Sequence, residues 1–248
     1  MIDGISTQQQ SNNDEQTITF FAAQERQKRY NAIVRGSEAE LLMECEHYES
    51  ECNNTGSSLS DFLQEIGLNE DDIDNDTVST FLNSSVARSK TLIPVKSAER
   101  LHAATAPKDA SKFQKMCESI DSTGLYLYDS SSTMNNIECR QFPKSSGYAE
   151  DPATGIAAGA LVASLHRHQM TSNNYLDDVG GLSTTILQGT AMRRPSQIKV
   201  KIDNYVQSSA SDDTSNDPSY RGSVKMSYAG VVKFDDVSNL NEAELFRL

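Results

Sequence analysis

The sequence has few basic residues for its length. Its 248 residues include 22 Lys and Arg against 35 Asp and Glu, so the formal net charge is −13 at pH 7. Nucleic-acid phosphates and anionic membrane surfaces bind proteins that present a positive field, which this composition does not provide. We therefore expect no nucleic-acid partner and no membrane partner, and an anionic ligand must be held locally by backbone amides or a few Arg side chains.

Long apolar segments and targeting signals are also missing. The longest apolar run, residues 156–165, is internal, and it is about half of the roughly 20 residues that a membrane span needs. The first residues, MIDGISTQQQSNNDEQ, contain no basic segment followed by an apolar stretch, which a secretory signal requires. The sequence alone thus predicts a soluble protein of the cytoplasm.

Paired cysteines and metal-ligand patterns are absent too. The four cysteines form no C-x-x-C pair, and the four histidines have no metal-ligand spacing. Disulfides are rare in the reducing cytoplasm. We therefore predict no metal, no organic cofactor and ordinary reduced thiols at Cys45, Cys52, Cys117 and Cys139.

Hydrophobic residues make up 37% of the sequence and include 8 Phe and 9 Tyr, which is enough to build a core. Strand-like and helix-like periodicities alternate along the chain, which predicts a mixed fold of both element types. Predicted strands lie at residues 17–22, 30–34, 39–43, 91–95, 124–128, 137–142, 184–188, 197–202 and 224–234, and predicted helices at 59–67, 108–119 and 155–168.

The regions between these elements are polar. Residues 1–16 are rich in Gln, Asn and Ser, which predicts a disordered lead-in. Residues 45–80 are acidic and rich in Ser and Asn, so we interpret them as a domain junction, interrupted by a short helix with Ser60 as its candidate cap. Two polar insertions are predicted near residues 171–183 and 208–223.

The most informative segment is EDPATGIAAGA, residues 150–160. The helix that it opens has no polar face, and such a helix must be buried on all sides. Thr154 is a candidate N-cap, while the free amides of Gly155 and Ile156 attract an anionic substrate group through the helix dipole. Asp151 precedes the helix and would be held ionised and aimed at the same point.

Two interpretations of this segment stay open from the residues alone. A carboxylate such as Asp151 beside an anion-binding helix start suits proton transfer on a small carboxylic acid. An Asp-Pro pair before a helix is, however, commonly only the turn into a structural helix. His166 and His168 in the last turn have a similar structural explanation, because a cation there complements the helix dipole.

Two segments resemble the phenazine-biosynthesis PhzF-like isomerase family. EDPATGIAAGAL, from residue 150, is similar to the family signature EDP-[AV]-TG-S-A, and QGTAMRRPSQIKV, from residue 188, is similar to its QGxxMGRPSxIxV strand. Weaker similarity extends over residues 18–235. The resemblance implies an α+β, diaminopimelate epimerase-like fold, in which two similar domains each wrap a curved mixed sheet around a buried central helix and enclose the active site between them.

The resemblance also implies roles for individual residues. Asp151 belongs to the proton-handling machinery, and Thr154 and the amides of Gly155 and Ile156 bind a substrate carboxylate. The implied reaction is metal-free acid/base proton transfer on a small carboxylic acid, in a protein expected to form a homodimer. Two positions depart from the family pattern, since Ile156 replaces a Ser and Arg193 replaces a Gly.

The family's first domain contributes an FTGNP-type strand, a catalytic Glu and a GHAT-like helix start, and none of these precedes residue 17. We therefore interpret residues 17–50 as the remnant of a first epimerase-like domain and residues 51–240 as the second. The expected protein is a truncated isomerase that lacks the catalytic Glu. The alternative is a non-catalytic binding or interaction protein built on the same fold.

Overall fold

The computed structural model describes residues 6–8, 15–21, 29–35, 38–52, 58–75, 81–133, 135–169, 182–207 and 220–231. The strands are β1 (Ser6–Gln8), β2 (Glu15–Phe21), β3 (Arg29–Arg35), β4 (Glu38–Glu51), β5 (Leu82–Ser85), β6 (Lys90–Val95), β7 (Gly124–Asp129), β8 (Asn136–Pro143), β9 (Leu182–Gln188), β10 (Ser196–Gln207) and β11 (Tyr220–Val231). The α-helices are α1 (Leu59–Glu65), α2 (Ala98–Ala103), α3 (Ala110–Ser119) and α4 (Gly155–Gln169), and a short 3-10 helix spans Glu70–Asp72.

The described strands form one mixed sheet. Its order is β1-β2-β3-β4-β11-β10-β9-β8-β7-β6-β5, and β5 also pairs with β4. The strands from β4 to β5 therefore close into a ring, and β1 to β3 extend the sheet outward from β4. The β6–β7 and β8–β9 pairs are parallel and the other pairs are antiparallel. This arrangement agrees with the predicted α+β class and mixed sheet.

Strand β7 shows how the sheet separates two cores. All its residues are buried, and side chains of a strand point alternately to opposite faces. Tyr126 and Tyr128 lie in a core on the α4 side, whereas Leu125 and Leu127 lie in a second core with residues of α1, α2 and α3. The ring therefore packs against helices on both of its faces.

Helix α4 covers one face of the ring. It packs against β4, β5, β6, β9, β10 and β11, and residues 157–165 are all buried. Small side chains such as Ala157, Ala158 and Ala160 are fully buried there and allow the helix to lie close to the strands. Its first two residues, Gly155 and Ile156, are only half-buried.

Helix α1 has the predicted apolar face and a different cap. Phe62, Leu63 and Ile66 are fully buried. The N-cap is Ser58, whose hydroxyl accepts from the amide of Asp61, so the prediction of Ser60 was wrong. Asp61 also accepts from the amide of Ser58, which completes a capping box.

The predicted elements overlap observed ones, with one important difference in β4. This strand continues to Glu51 instead of ending at Met43, and it pairs with β11 over its whole length as far as Glu49. The first part of the predicted junction at 45–80 is therefore strand. Within it Cys45, His47 and Glu49 are buried. The acidic residues between them made the alternation of buried and exposed positions difficult to recognise in the sequence. Strands β1 and β5 and helix α2 were not predicted.

Some predictions fall largely on residues that the structure does not describe. The lead-in at 1–16 lies outside the described residues, apart from β1 and the start of β2. Most of the insertions near 171–183 and 208–223 lies outside them as well, and the division into domains at residue 50 stays a prediction. Each helix in the described part of the chain is too short or too polar to cross a bilayer.

Candidate functional site

Hydrogen bonds join the two family-like segments at the start of α4. Gln188, at the end of β9, donates from Nε2 to the backbone oxygen of Asp151 at 2.7 Å and to the hydroxyl of Thr154 at 3.2 Å. Tyr126 in β7 donates its hydroxyl to Gln188 Oε1 at 3.0 Å. The backbone of Asp151 is fixed from a third side, because its amide donates to the oxygen of Gln141 in β8 at 3.0 Å.

The side chains of Asp151 and Thr154 hold each other in place. Thr154 donates its hydroxyl to Asp151 Oδ2 at 2.8 Å, and the amide of Ala153 donates to Oδ1 at 3.2 Å. The backbone oxygen of Thr154 accepts from the amide of Ala158, so Thr154 occupies the predicted cap position. Its hydroxyl, however, contacts the Asp151 carboxylate instead of a helix amide.

The amides of Gly155 and Ile156 have no hydrogen-bond acceptor among the described residues. The first amides of an α-helix have no partner inside the helix, and together with the helix dipole they attract anions. A Cβ built on Gly155 would meet no atom within 4 Å. The start of α4 therefore has open space beside the Cα of Gly155 and amide donors available.

The turn after β9 packs against the segment that precedes α4. Gly189 has a φ of +82°, and a Cβ at this position would clash with the backbone oxygen of Arg194 and lie 3.0 Å from that of Pro152. Only glycine fits both the conformation and the space. Ser196 donates its hydroxyl to the backbone oxygen of Pro152 at 2.7 Å. Through these contacts, the Gln-Gly and Pro-Ser residues of the second family-like segment pack against the first segment. This packing explains why the two segments occur together.

Arg193 lies in this turn in a left-handed conformation, with a φ of +60°. Such a conformation is strained for a residue with a side chain and is free of strain for glycine. This accounts for the Gly that the family pattern has at this position. The Arg193 side chain is exposed.

Glu150, the acid before Asp151, has a structural partner that the sequence analysis missed. It forms a bidentate ion pair with Arg140 of β8, with Nε–Oε1 at 2.8 Å and Nη2–Oε2 at 2.7 Å. Arg140 Nη1 also donates to the backbone oxygens of Leu101, His102 and Ala104 at the end of α2. The ion pair thus fixes the segment before α4 to the helix layer outside the ring.

The opposite end of α4 carries a separate group of charged side chains. Glu49 in β4 is fully buried, lies 3.2 Å from His168 Nε2 and forms an ion pair with Arg167. His47 lies 3.5 Å from Glu49, and burial lowers the pKa of His47 to about 4 even though Glu49 acts in the opposite direction. The last turn of α4 is therefore bound to β4 and lies away from Asp151.

The remaining predictions concern thiols and metals. All four cysteines are buried, and no disulfide joins any two of them. Burial raises the pKa of the Cys139 thiol far above its usual value, as expected of a core residue. Within the described residues, no group of His, Cys, Asp and Glu side chains has an arrangement that could hold a metal ion.

The structure brings together the four predicted site residues, Asp151, Thr154, Gly155 and Ile156. It adds Gln188 and Tyr126, which orient Thr154 and Asp151 through hydrogen bonds. Burial raises the pKa of Tyr126 well above its usual value, so its hydroxyl remains a donor. Gln188 could be identified from the sequence because it belongs to the second family-like segment. No sequence pattern indicates that Tyr126 contacts Gln188.

The chain is similar to known proteins at the levels of family and fold. Residues 27–216 match the family described as phenazine biosynthesis-like protein, PhzC-PhzF. The fold is similar to that of a PhzF-family phenazine biosynthesis protein from Bacillus anthracis, with 16% identity and a TM-score of 0.57 over 89% of this chain and 66% of that one. It is also similar to a predicted epimerase from Pseudomonas aeruginosa, with 21% identity and a TM-score of 0.57 over 90% of this chain and 67% of that one.

The chain thus spans about two thirds of the length of these two structures. None of the curated proteins matches it significantly. The family match covers well over half of the 248 residues and includes both segments that meet at the start of α4. The chain therefore belongs to the phenazine biosynthesis-like, PhzC-PhzF, protein family.

Proposed function

We propose that the chain carries a proton-transfer site of an isomerase that acts on a small carboxylic acid without a metal or an organic cofactor. The observation that carries the proposal is the start of α4, where the Asp151 carboxylate lies beside helix amides that have no acceptor among the described residues. Family membership and the similarity to a predicted epimerase support this reaction type. The proposal includes the diaminopimelate epimerase-like arrangement, with the sheet wrapped around α4, and a homodimer.

The substrate carboxylate binds to the amides of Gly155 and Ile156. Both residues are half-buried, and the helix dipole adds to the attraction of their amides for an anion. The family's Ser hydroxyl is replaced by the Ile156 side chain, so this site binds the carboxylate through backbone donors. Thr154 completes the site by holding Asp151 at a distance of 2.8 Å.

Asp151 is the group that moves the proton. A carboxylate that accepts a proton from carbon must be oriented toward the reacting atom, and Asp151 is oriented by the hydroxyl of Thr154 and the amide of Ala153. Gln188 holds Thr154 in turn, and Tyr126 holds Gln188. Thr154, Gln188 and Tyr126 are positioning residues in this scheme, and Asp151 is the catalytic residue.

A non-catalytic binding protein is the second candidate, and it is favoured by Ile156, which replaces the family's Ser and removes a hydroxyl donor from the site. In that case the start of α4 would bind a small acid without turnover. Proton transfer by a positioned group accelerates a reaction by roughly 10²- to 10⁴-fold, so a site at which Asp151 acts alone is expected to show turnover below detection.

The two candidates differ in their ability to exchange a substrate proton with solvent. The test is deuterium incorporation from D₂O into a panel of cyclic amino acids and dihydroaromatic acids, followed by mass spectrometry. We expect no exchange by the 248-residue chain alone and clear exchange when a family-type first domain is fused before it. Exchange by the chain alone would show that Asp151 acts without the Glu. Absence of exchange in the folded fusion would favour the binding protein.

A further inference from the structure

Two buried polar side chains on the α4 side of the sheet have no role in the proposed function as stated so far. Lys90 begins β6 and lies opposite Ser84 of β5, whose hydroxyl donates to the backbone oxygen of Ala160 in α4 at 2.9 Å. Gln141 in β8 lies opposite Tyr126, which belongs to the core on the α4 side. Directly opposite residues of an antiparallel pair project on the same face. Lys90 and Gln141 therefore both face α4.

Both side chains lie near the start of β7. Lys90 Nζ lies 3.5 Å from the backbone oxygen of Thr123, and a Cβ on the following residue, Gly124, would lie 3.0 Å from Gln141 Nε2. The backbone oxygen of Gln141 accepts from the amide of Asp151. Burial lowers the pKa of Lys90 to about 8, and the negative charge of Asp151 acts in the opposite direction.

Neither side chain has adequate hydrogen bonds within the described part of the protein. Lys90 is 7% exposed, and its contact with Thr123 is longer than the roughly 2.7–3.2 Å of an ordinary hydrogen bond. No described carboxylate forms an ion pair with it. Gln141 is 1% exposed, and both polar atoms of its amide are without a partner. Buried polar groups normally have hydrogen-bond partners, because an unsatisfied one destabilises the folded state. We therefore expect Lys90 and Gln141 to have a functional role.

We propose that the Lys90 ammonium and the Gln141 amide form an inner subsite that binds a second carboxylate of the ligand, while the start of α4 binds the first. The preferred ligand is then a small dicarboxylic acid. The ammonium neutralises the incoming anion in a protein of net charge −13, and the amide donates a second hydrogen bond to it. This inference rests on the proposed function, because it takes Asp151 and α4 as the reacting end of the pocket.

The experiment compares the binding of benzoate with that of phthalate, isophthalate and terephthalate by isothermal titration calorimetry. The proteins are wild type, Lys90→Met, Gln141→Leu and, as a matched control, Lys96→Met, since Lys96 is exposed and donates to the backbone oxygen of Asp71. In wild type and in the control we expect at least one diacid to bind about tenfold more tightly than benzoate, as a charge-assisted pair would provide. Lys90→Met abolishes that preference, Gln141→Leu reduces it, and benzoate affinity changes little.

The unfolding midpoint of the ligand-free variants separates a binding role from a structural one. Removing an unpaired buried charge leaves stability unchanged or raises it, whereas removing a structural group lowers it. A diacid preference that survives in Lys90→Met, its absence in wild type, or a lowered midpoint of Lys90→Met would overturn the inference. The proposed function is judged separately, by whether deuterium exchange depends on Asp151.

Discussion

We expect Glu150→Ala to lower the free energy of unfolding by about 3–5 kcal/mol, because it leaves a buried guanidinium without its counter-ion. The Glu150 and Arg140 side chains are only 9% and 7% exposed, and two hydrogen bonds of 2.7 and 2.8 Å join them. Breaking such a pair by removing one partner is costly, even where the intact pair adds little net stability.

The neighbouring acid provides the matched comparison. Asp151 is half-buried and accepts two hydrogen bonds from its own turn, from Ala153 and Thr154. Loss of a carboxylate that acts as a local cap costs roughly 0.5–2 kcal/mol. We therefore expect Asp151→Ala to fold nearly normally, and a loss above about 2 kcal/mol would assign Asp151 a structural role instead.

Urea unfolding followed by far-ultraviolet circular dichroism measures both variants. The double variant Arg140→Met/Glu150→Ala should be about as unstable as the worse single variant, because the ion pair is lost only once. It should not recover wild-type stability, since Arg140 also satisfies the oxygens of Leu101, His102 and Ala104. Additive losses in the double variant, or equal losses in Glu150→Ala and Asp151→Ala, would refute this reasoning.

Two further predictions concern the turn after β9 and the far end of α4. Gly189→Ala should destabilise the protein by at least about 2 kcal/mol, because the new methyl group clashes with the oxygen of Arg194 at a φ of +82°; an unchanged melting temperature would contradict this. For His47, burial lowers the folded pKa to about 4, so below its unfolded pKa of about 6.5 only the unfolded chain takes up the proton. Stability should fall by up to about 3 kcal/mol as the pH decreases from 6.5 to 4, and denaturation of His47→Gln across this range should show a shallower decrease.

The sequence could identify the segment that begins α4 because this segment is a local feature. Thr154, Gly155 and Ile156 are consecutive, and a helix without a polar face can be identified from its residues alone. The glycine at position 189 reflects a backbone conformation that only glycine adopts without strain. Such local constraints can be recognised directly from the residue types.

The parts that could not be predicted depend on contacts between residues distant in sequence. Glu49 is buried in β4 because Arg167 and His168 of α4 reach it across the ring. Without that contact, the polar residues of β4 resemble a solvent-exposed segment, and the strand was therefore ended too early. Similarly, the position of Lys90 on the α4 side of the sheet follows from its register with Ser84, which no periodicity within β6 reveals.

The dependence of deuterium exchange on Asp151 tests the central claim most directly. The protein is this chain fused to a family-type first domain, and the variants are Asp151→Asn and, as a control, Asp71→Asn at an exposed position of the 3-10 helix. We expect Asp151→Asn to reduce the exchange rate by at least about 100-fold, as loss of a positioned acid/base group does, and Asp71→Asn to leave it unchanged. Exchange that continues at the wild-type rate in folded Asp151→Asn would contradict the assignment of proton transfer to the start of α4.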